Sequence, residues 1–299
     1  MQAVLDSLAR RVPTDRRVAL VVAHPDDEVI AAGASLRLLT GLLLVHVTDG
    51  APRTLDDAAR AGFDNPAAYA AARQAELAAA LQVAGCAPER AGLGIPDQDA
   101  SLHMPAIARR LRALFARHGT QAVITHAYEG GHPDHDAVAL AVHIAAPGRV
   151  IEFPGYHAAP DGGFVTGRFL PALKPRHCEE RSDAAIQDRK HGSGGPWIAT
   201  PQGRLAMTAH ETQQAVHIPL DPAERARKRA MLDRFATQAR ILAAFGTQEE
   251  AFRPACPDFA APPHPGTLNY EYWGWDMTGP RWRALAAAAQ TETEAPCAA

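Results

Sequence analysis

A doubly wound α/β fold, with a mostly parallel sheet sandwiched by helices, is predicted from three observations. Short aliphatic runs recur along roughly the first 160 residues. Helix-forming stretches separate them. The runs are apolar throughout rather than alternating, as expected of parallel strands covered on both faces.

The elements follow in order. "RRVALVVAH" (residues 16–24) is short, β-branched and aliphatic, a buried-strand signal. "EVIAAGASLRLLTG" then reads as a helix stopping at Gly41, and "LLLVHVTDGAP" as a second buried strand. "NPAAYAAARQAELAAALQVAG" is a strong helix, with Asn65 as cap, Pro66 at the first helical position and Gly85 as the stop. "MPAIARRLRALFARHG" is a helix, "QAVITHAY" a strand, "DHDAVALAVHIAA" a helix and "RVIEFPGYH" a strand. This succession is Rossmann-like. Sheet character resumes at "MTAHETQQAVHIPL", and "DPAERARKRAMLDRFATQARILAAFG" reads as one charged helix opened by Asp221 and Pro222. The Pro-rich and then aromatic stretch that follows suggests a strap over the same domain, ending in a short helix.

The 299 residues suit one large domain with appendages. Residues 1–172 are expected to form the α/β core, 173–203 a polar loop or insertion, 204–290 the remainder of the domain with the aromatic segment, and 291–299 a disordered tail. The 173–203 stretch is rich in charge, Gly and Pro. Its first half resembles translated palindromic repeat elements that sit in frame inside some bacterial genes, which would make it an insertion without catalytic purpose.

Apolar residues make up 47% of the chain and charged residues 21%, an ordinary globular composition. The net charge of −3 offers no concentrated basic face for nucleic acid. No apolar run is long enough to span a bilayer, and the N-terminal stretch lacks the apolar core of a secretory leader. The four scattered cysteines form no CxxC pair and read as free thiols. A cytoplasmic location is expected; homo-oligomerisation stays open.

Two clusters do not fit a core. His24-Pro25-Asp26-Asp27-Glu28 lies just past the first strand, and "THAYEGGHPDHDA" (Thr125 to Ala137) just past the strand "QAVIT". Charged groups are rarely buried without partners. Each motif alone is compatible with a solvated turn or a helix cap, since Asp favours both. Together they fall at the carboxyl edge of the sheet, where open α/β folds bind ligands. A catalytic zinc site uses three protein ligands and one open position, and His24, Asp27 and His135 fit that count. Asp26 is then left beside the metal, placed to take a proton from a metal-bound water. His132 could stabilise an oxyanion or protonate a leaving amine, with Asp134 accepting from its ring. His126, His157, His217 and His264 are further pocket candidates, and the other histidines read as surface or structural.

"AHPDDE" (Ala23 to Glu28) followed by "YEGGHPDHDA" (Tyr128 to Ala137) resembles the PIG-L/LmbE-like family of zinc-dependent de-N-acetylases. The resemblance extends to "TDGAPR" (Thr48 to Arg53), to Arg73 and Glu76, and to "FATQ" in the late helix. It implies removal of an acetyl group from a small-molecule N-acetylglucosamine-type sugar or glycoconjugate. It makes His24, Asp27 and His135 the metal ligands, Asp26 the general base and His132 the electrophilic or acid partner. The implied metal is Zn2+, although two histidines and one aspartate also accept Fe2+, Co2+ or Mn2+. Asp49 and Arg53 are candidate substrate contacts or simply a surface turn. Arg73 and Glu76 either join the site or pair with each other. Tyr270, Tyr272, Trp273 and Trp275 either stack on a sugar or pack a core. Rival readings are an amidase for a larger acyl group and a non-catalytic sugar- or nucleotide-binding module. No G-x-G-x-x-G follows the first strand, so the dinucleotide fingerprint is absent.

Overall fold

The computed structural model describes residues 1–171 and 215–294. The expected 173–203 loop therefore lies outside the described residues. A seven-stranded sheet is built from β1 (Val18–Val22), β2 (Leu43–Pro52), β3 (Glu89–Asp97), β4 (Ala122–His126), β5 (Val150–Phe153), β8 (Val216–Pro219) and β9 (Glu249–Pro254). A separate hairpin pairs β6 (Tyr156–Ala158) with β7 (Phe164–Thr166). The helices are α1 (Gln2–Ala9), α2 (Asp27–Ala32), α3 (Asp56–Arg60), α4 (Pro66–Ala84), α5 (Met104–His118), α6 (Pro133–Ala145), α7 (Pro222–Leu232), α8 (Ala239–Leu242), α9 (Asn269–Tyr272) and α10 (Gly279–Glu294).

Strand order is β3-β2-β1-β4-β5-β9-β8. The first five strands are parallel, and β9 and β8 add on in antiparallel fashion. The chain leaves β1 towards β2 on one side and returns as β4 on the other, so β1 and β4 flank the switch point where such sheets open a crevice. Both faces of β1 are covered. Ala19 and Val21 join a core with α5, α6 and α10, while Val18, Leu20 and Val22 join one with α1, α4 and α7. That two-sided burial is why the strand reads as an unbroken aliphatic run.

Several boundaries differ from the sequence reading. The helix expected to stop at Gly41 ends at Ala32. A Cβ at Gly33 would lie 2.8 Å from the Val29 carbonyl and 3.3 Å from Lys228, so the chain turns there against α7. "RVIEFPGYH" is two strands, divided at Pro154-Gly155. The long charged helix stops at Leu232, and its remainder folds as short turns and α8. β3 and β9 escaped the periodicity reading. β3 is half exposed and carries Gly92 and Gly94, and β9 is a charged strand on the antiparallel side. The final helix is 16 residues long, buries Trp282, and runs into the stretch expected to be disordered; residues 295–299 lie outside the description. Among the described residues no helix is long and apolar enough to cross a membrane.

Candidate metal centre and active site

β1 ends directly in the first cluster. Asp26 caps α2 with φ 135°, a conformation that L side chains rarely adopt. Three contacts hold it there. Its N–H donates to Glu28 Oε2 at 3.1 Å, and Arg73 Nη2 donates both to Asp26 Oδ2 and to the Pro25 carbonyl at 2.9 Å. Glu28 is held in turn by His46 Nε2 at 3.0 Å. The second cluster follows β4. His132 caps α6, its Nδ1 accepting the Asp134 N–H at 3.1 Å. Asp136 Oδ1 accepts from the N–H groups of Glu129 and Gly130, folding the loop so that His135, on the first turn of α6, faces β1.

The fold brings His24, Asp27 and His135 together, all buried. His24 Nδ1 lies 3.4 Å from Asp27 Oδ2 and 3.3 Å from His135 Nε2, and His135 Nε2 lies 3.3 Å from Asp27 Oδ1. Donors about 2.0–2.1 Å from one tetrahedral ion stand about 3.3 Å apart, so the triad fits a zinc-like cation. The other nitrogen of His24 supports the same reading. Nε2 lies 3.1 Å from Asp97 Oδ1 and 3.3 Å from Asp134 Oδ2, partners that would keep a proton on Nε2 when Nδ1 gives its lone pair to a cation. His126 stacks on His135 at 4.0 Å and accepts the Ala23 N–H, backing the triad without entering it.

Buried carboxylates and imidazoles set one another's charge in this cluster. Burial disfavours an imidazolium at His24, yet Asp97, Asp134 and Asp27 hold its pKa well above the ordinary range. Burial alone would raise the Asp27 carboxyl, but His135 and His126 hold it well below its usual value. Asp26 behaves in the opposite sense: burial pushes it up to about 8, against the pull of Arg73. His132 is held well below the ordinary histidine range, by burial and then by His24.

Asp134 departs from its expected role. Its carboxylate does not reach the His132 ring. Oδ1 accepts the Ala100 N–H at 3.0 Å and Oδ2 the Gln98 N–H at 2.7 Å, with His24 Nε2 beside it. Only the Asp134 backbone touches His132, because both sit at the same helix start. Of the two readings for Arg73 and Glu76, mutual pairing does not form, and Arg73 joins the site. Arg73 is buried against Asp26, with Nη1 donating to the Gly50 carbonyl at 2.6 Å, while Glu76 accepts from Thr237. Asp49 and Arg53 pair with each other at 2.7 Å near the rim. His217 is an exposed partner of Glu249, and His157 and His264 lie near each other, 6.3 Å between ring centroids. Tyr270 is core, whereas Trp275 packs edge-on against His132 at 4.5 Å.

Sequence reasoning missed Asp97, which faces His24, His132 and Arg73 from the end of β3. Its signal was the acidic residue after "GLGIP", hidden because the strand itself went unrecognised. Glu28 lay inside the quoted motif without an assigned task, and its buried partner His46 read as structural.

Fold and site together define an α/β protein with a two-histidine, one-aspartate centre at the sheet's switch point. Residues 19–146 match the PIG-L family, described as GlcNAc-PI de-N-acetylase. It is 30% identical over 132 residues to "Probable N-acetyl-alpha-D-glucosaminyl L-malate deacetylase 2" of Bacillus cereus, covering 43% of this chain and 60% of that protein. It is 26% identical over 244 residues to the 1D-myo-inositol 2-acetamido-2-deoxy-alpha-D-glucopyranoside deacetylase of Kineococcus radiotolerans, covering 68% of this chain and 66% of that one. The matches thus span less than two thirds of either curated relative. Among solved structures, a deacetylase triple mutant from the teicoplanin biosynthetic pathway shares the fold, with a TM-score of 0.51 at 19% identity over 80% of this chain and 97% of that one.

Proposed function

We propose that the chain is a metal-dependent hydrolase that removes the N-acetyl group from an N-acetylglucosamine-type sugar or glycoconjugate. The observation that carries this reading is the tetrahedral donor spacing of His24, Asp27 and His135, with Asp26 held beside it by Arg73. The two relatives, both named as deacetylases of N-acetylglucosamine derivatives, support the substrate class.

Bound at these three side chains, zinc or a similar divalent ion would polarise the amide carbonyl and lower the pKa of a water towards neutrality. The chain's own groups do the rest. Asp26 takes the proton of the attacking water as the new C–O bond forms. It then gives that proton to the departing amine as the C–N bond breaks, leaving acetate and the free amino sugar. Arg73 fixes the Asp26 rotamer and leaves Oδ1 for this task. His132 accepts the Asp134 N–H at Nδ1, so the neutral ring carries its proton on Nε2 and donates it to the acyl oxygen as negative charge develops. Burial and the adjacent His24 favour this neutral donor form of His132.

The test is acetate release from N-acetylglucosamine glycosides by wild type and Asp26→Ala. The variant should keep its metal and lose about 10²–10⁴-fold in kcat. Near-normal kcat would contradict the base assignment.

A further inference from the structure

Ring contacts lead out of the site from both histidines. His132 meets Trp275 at 4.5 Å, Trp275 meets Trp273 at 4.9 Å, Trp273 meets Tyr156 at 5.9 Å, and Tyr156 returns to His135 at 5.2 Å. Phe164, at the start of β7, extends this face, 5.7 Å from Trp273. Exposure rises outward: Tyr156 is 7% exposed, Phe164 37% and Trp273 40%. Single exposed aromatics are ordinary, but a contiguous set continuous with a catalytic crevice is not.

We propose that Trp273 and Phe164, backed by Trp275 and Tyr156, form a subsite for an apolar, ring-bearing aglycone of the acetylated sugar. The inference rests on the proposed deacetylase reading and narrows its substrate class. Trp275 stands next to His132, beside the sugar that carries the reacting amide. Trp273 lies one ring further out, beside whatever that sugar is attached to. The acidic side chains that flank Trp273 and Phe164 in sequence each have a partner within the chain. Glu271 accepts the N–H groups of Leu268 and Gly279, Asp161 accepts that of Gly163, and Asp276 pairs with Arg281. The face offers stacking surface, and offset or edge-on aromatic packing suits a planar apolar ring.

The experiment is titration calorimetry of the zinc-loaded protein with methyl glucosaminide, phenyl glucosaminide and the glucosamine disaccharide, none of which contains an amide to hydrolyse. Phenyl glucosaminide should bind about tenfold more tightly than the methyl compound. The gap should fall below about threefold in Trp273→Ala and shrink in Phe164→Ala, two partly exposed positions whose truncation leaves the core intact. Equal affinities in wild type, a gap that survives in both variants, or tighter binding of the disaccharide than of the phenyl glycoside would overturn the subsite. Failure of the deacetylase reading would show separately, as no acetate released from any N-acetyl glycoside.

Discussion

His24 is the residue on which the centre turns. One ring nitrogen faces Asp27 and His135, and the other faces Asp97 and Asp134. Carboxylates behind a ligating histidine fix its tautomer and raise its basicity. Asp97→Asn should therefore weaken zinc affinity by about 10–100-fold, as read by chelator competition, while the fold stays intact by circular dichroism. Unchanged affinity would leave Asp97 no part in orienting His24. His24, Asp26, Asp27 and His135 were legible as candidates because each sits in a short local motif next to an unmistakable strand. Asp97 and the Asp134 carboxylate were not. Their tasks depend on which strand end comes to rest beside His24, and local sequence does not carry that register.

At the scale of elements, the loops after β1 and β2 are locked by one side chain from α4. Arg73 reaches the Pro25 carbonyl, the Gly50 carbonyl and Asp26. Gly50 has φ +74°, and a Cβ there would stand 2.8 Å from Arg73 Nη1 and 2.9 Å from Pro25 Cδ. Gly50→Ala should cost about 1–2 kcal/mol for the left-handed backbone alone, measured by urea denaturation. It should also reduce acetate release by pushing Arg73 off Asp26, with zinc content unchanged. Full activity in a folded Gly50→Ala protein would show that Arg73 does not set the Asp26 geometry. The parallel strands and the long helices α4, α5 and α6 could be read from pattern and caps. The helix after Asp27 could not, because its apolar run continues past the point where packing against α7 turns the chain at Gly33.

Across the whole molecule, α2 and the turn after it are tied to the distal part of the chain by a buried ion pair. Lys228 on α7 donates to Glu250 on β9 and to the Ile30 carbonyl on α2, each at 2.9 Å. Glu250 also accepts from the Ala34 N–H and the Ser35 hydroxyl. Lys228→Met should destabilise the protein by about 3–5 kcal/mol, since it leaves Glu250 buried without its cation. Lys228→Met combined with Glu250→Leu should recover part of that loss in the same denaturation experiment; no recovery would mean that packing rather than charge holds the two halves. The contacts of Lys228 with Ile30 and of Glu250 with Ala34 and Ser35 join residues 198 to 216 positions apart, so they were invisible in the sequence, whereas the alternation of strands and helices that creates the crevice was plain. The account as a whole rests on one cation joining the end of β1 to the start of α6. The most direct measurement is metal content per chain in wild type and His135→Ala purified side by side. About one zinc or similar ion in the wild type, lost in the variant, is the predicted result. A wild type that holds no metal after zinc is supplied, or a variant that holds as much as wild type, would contradict it.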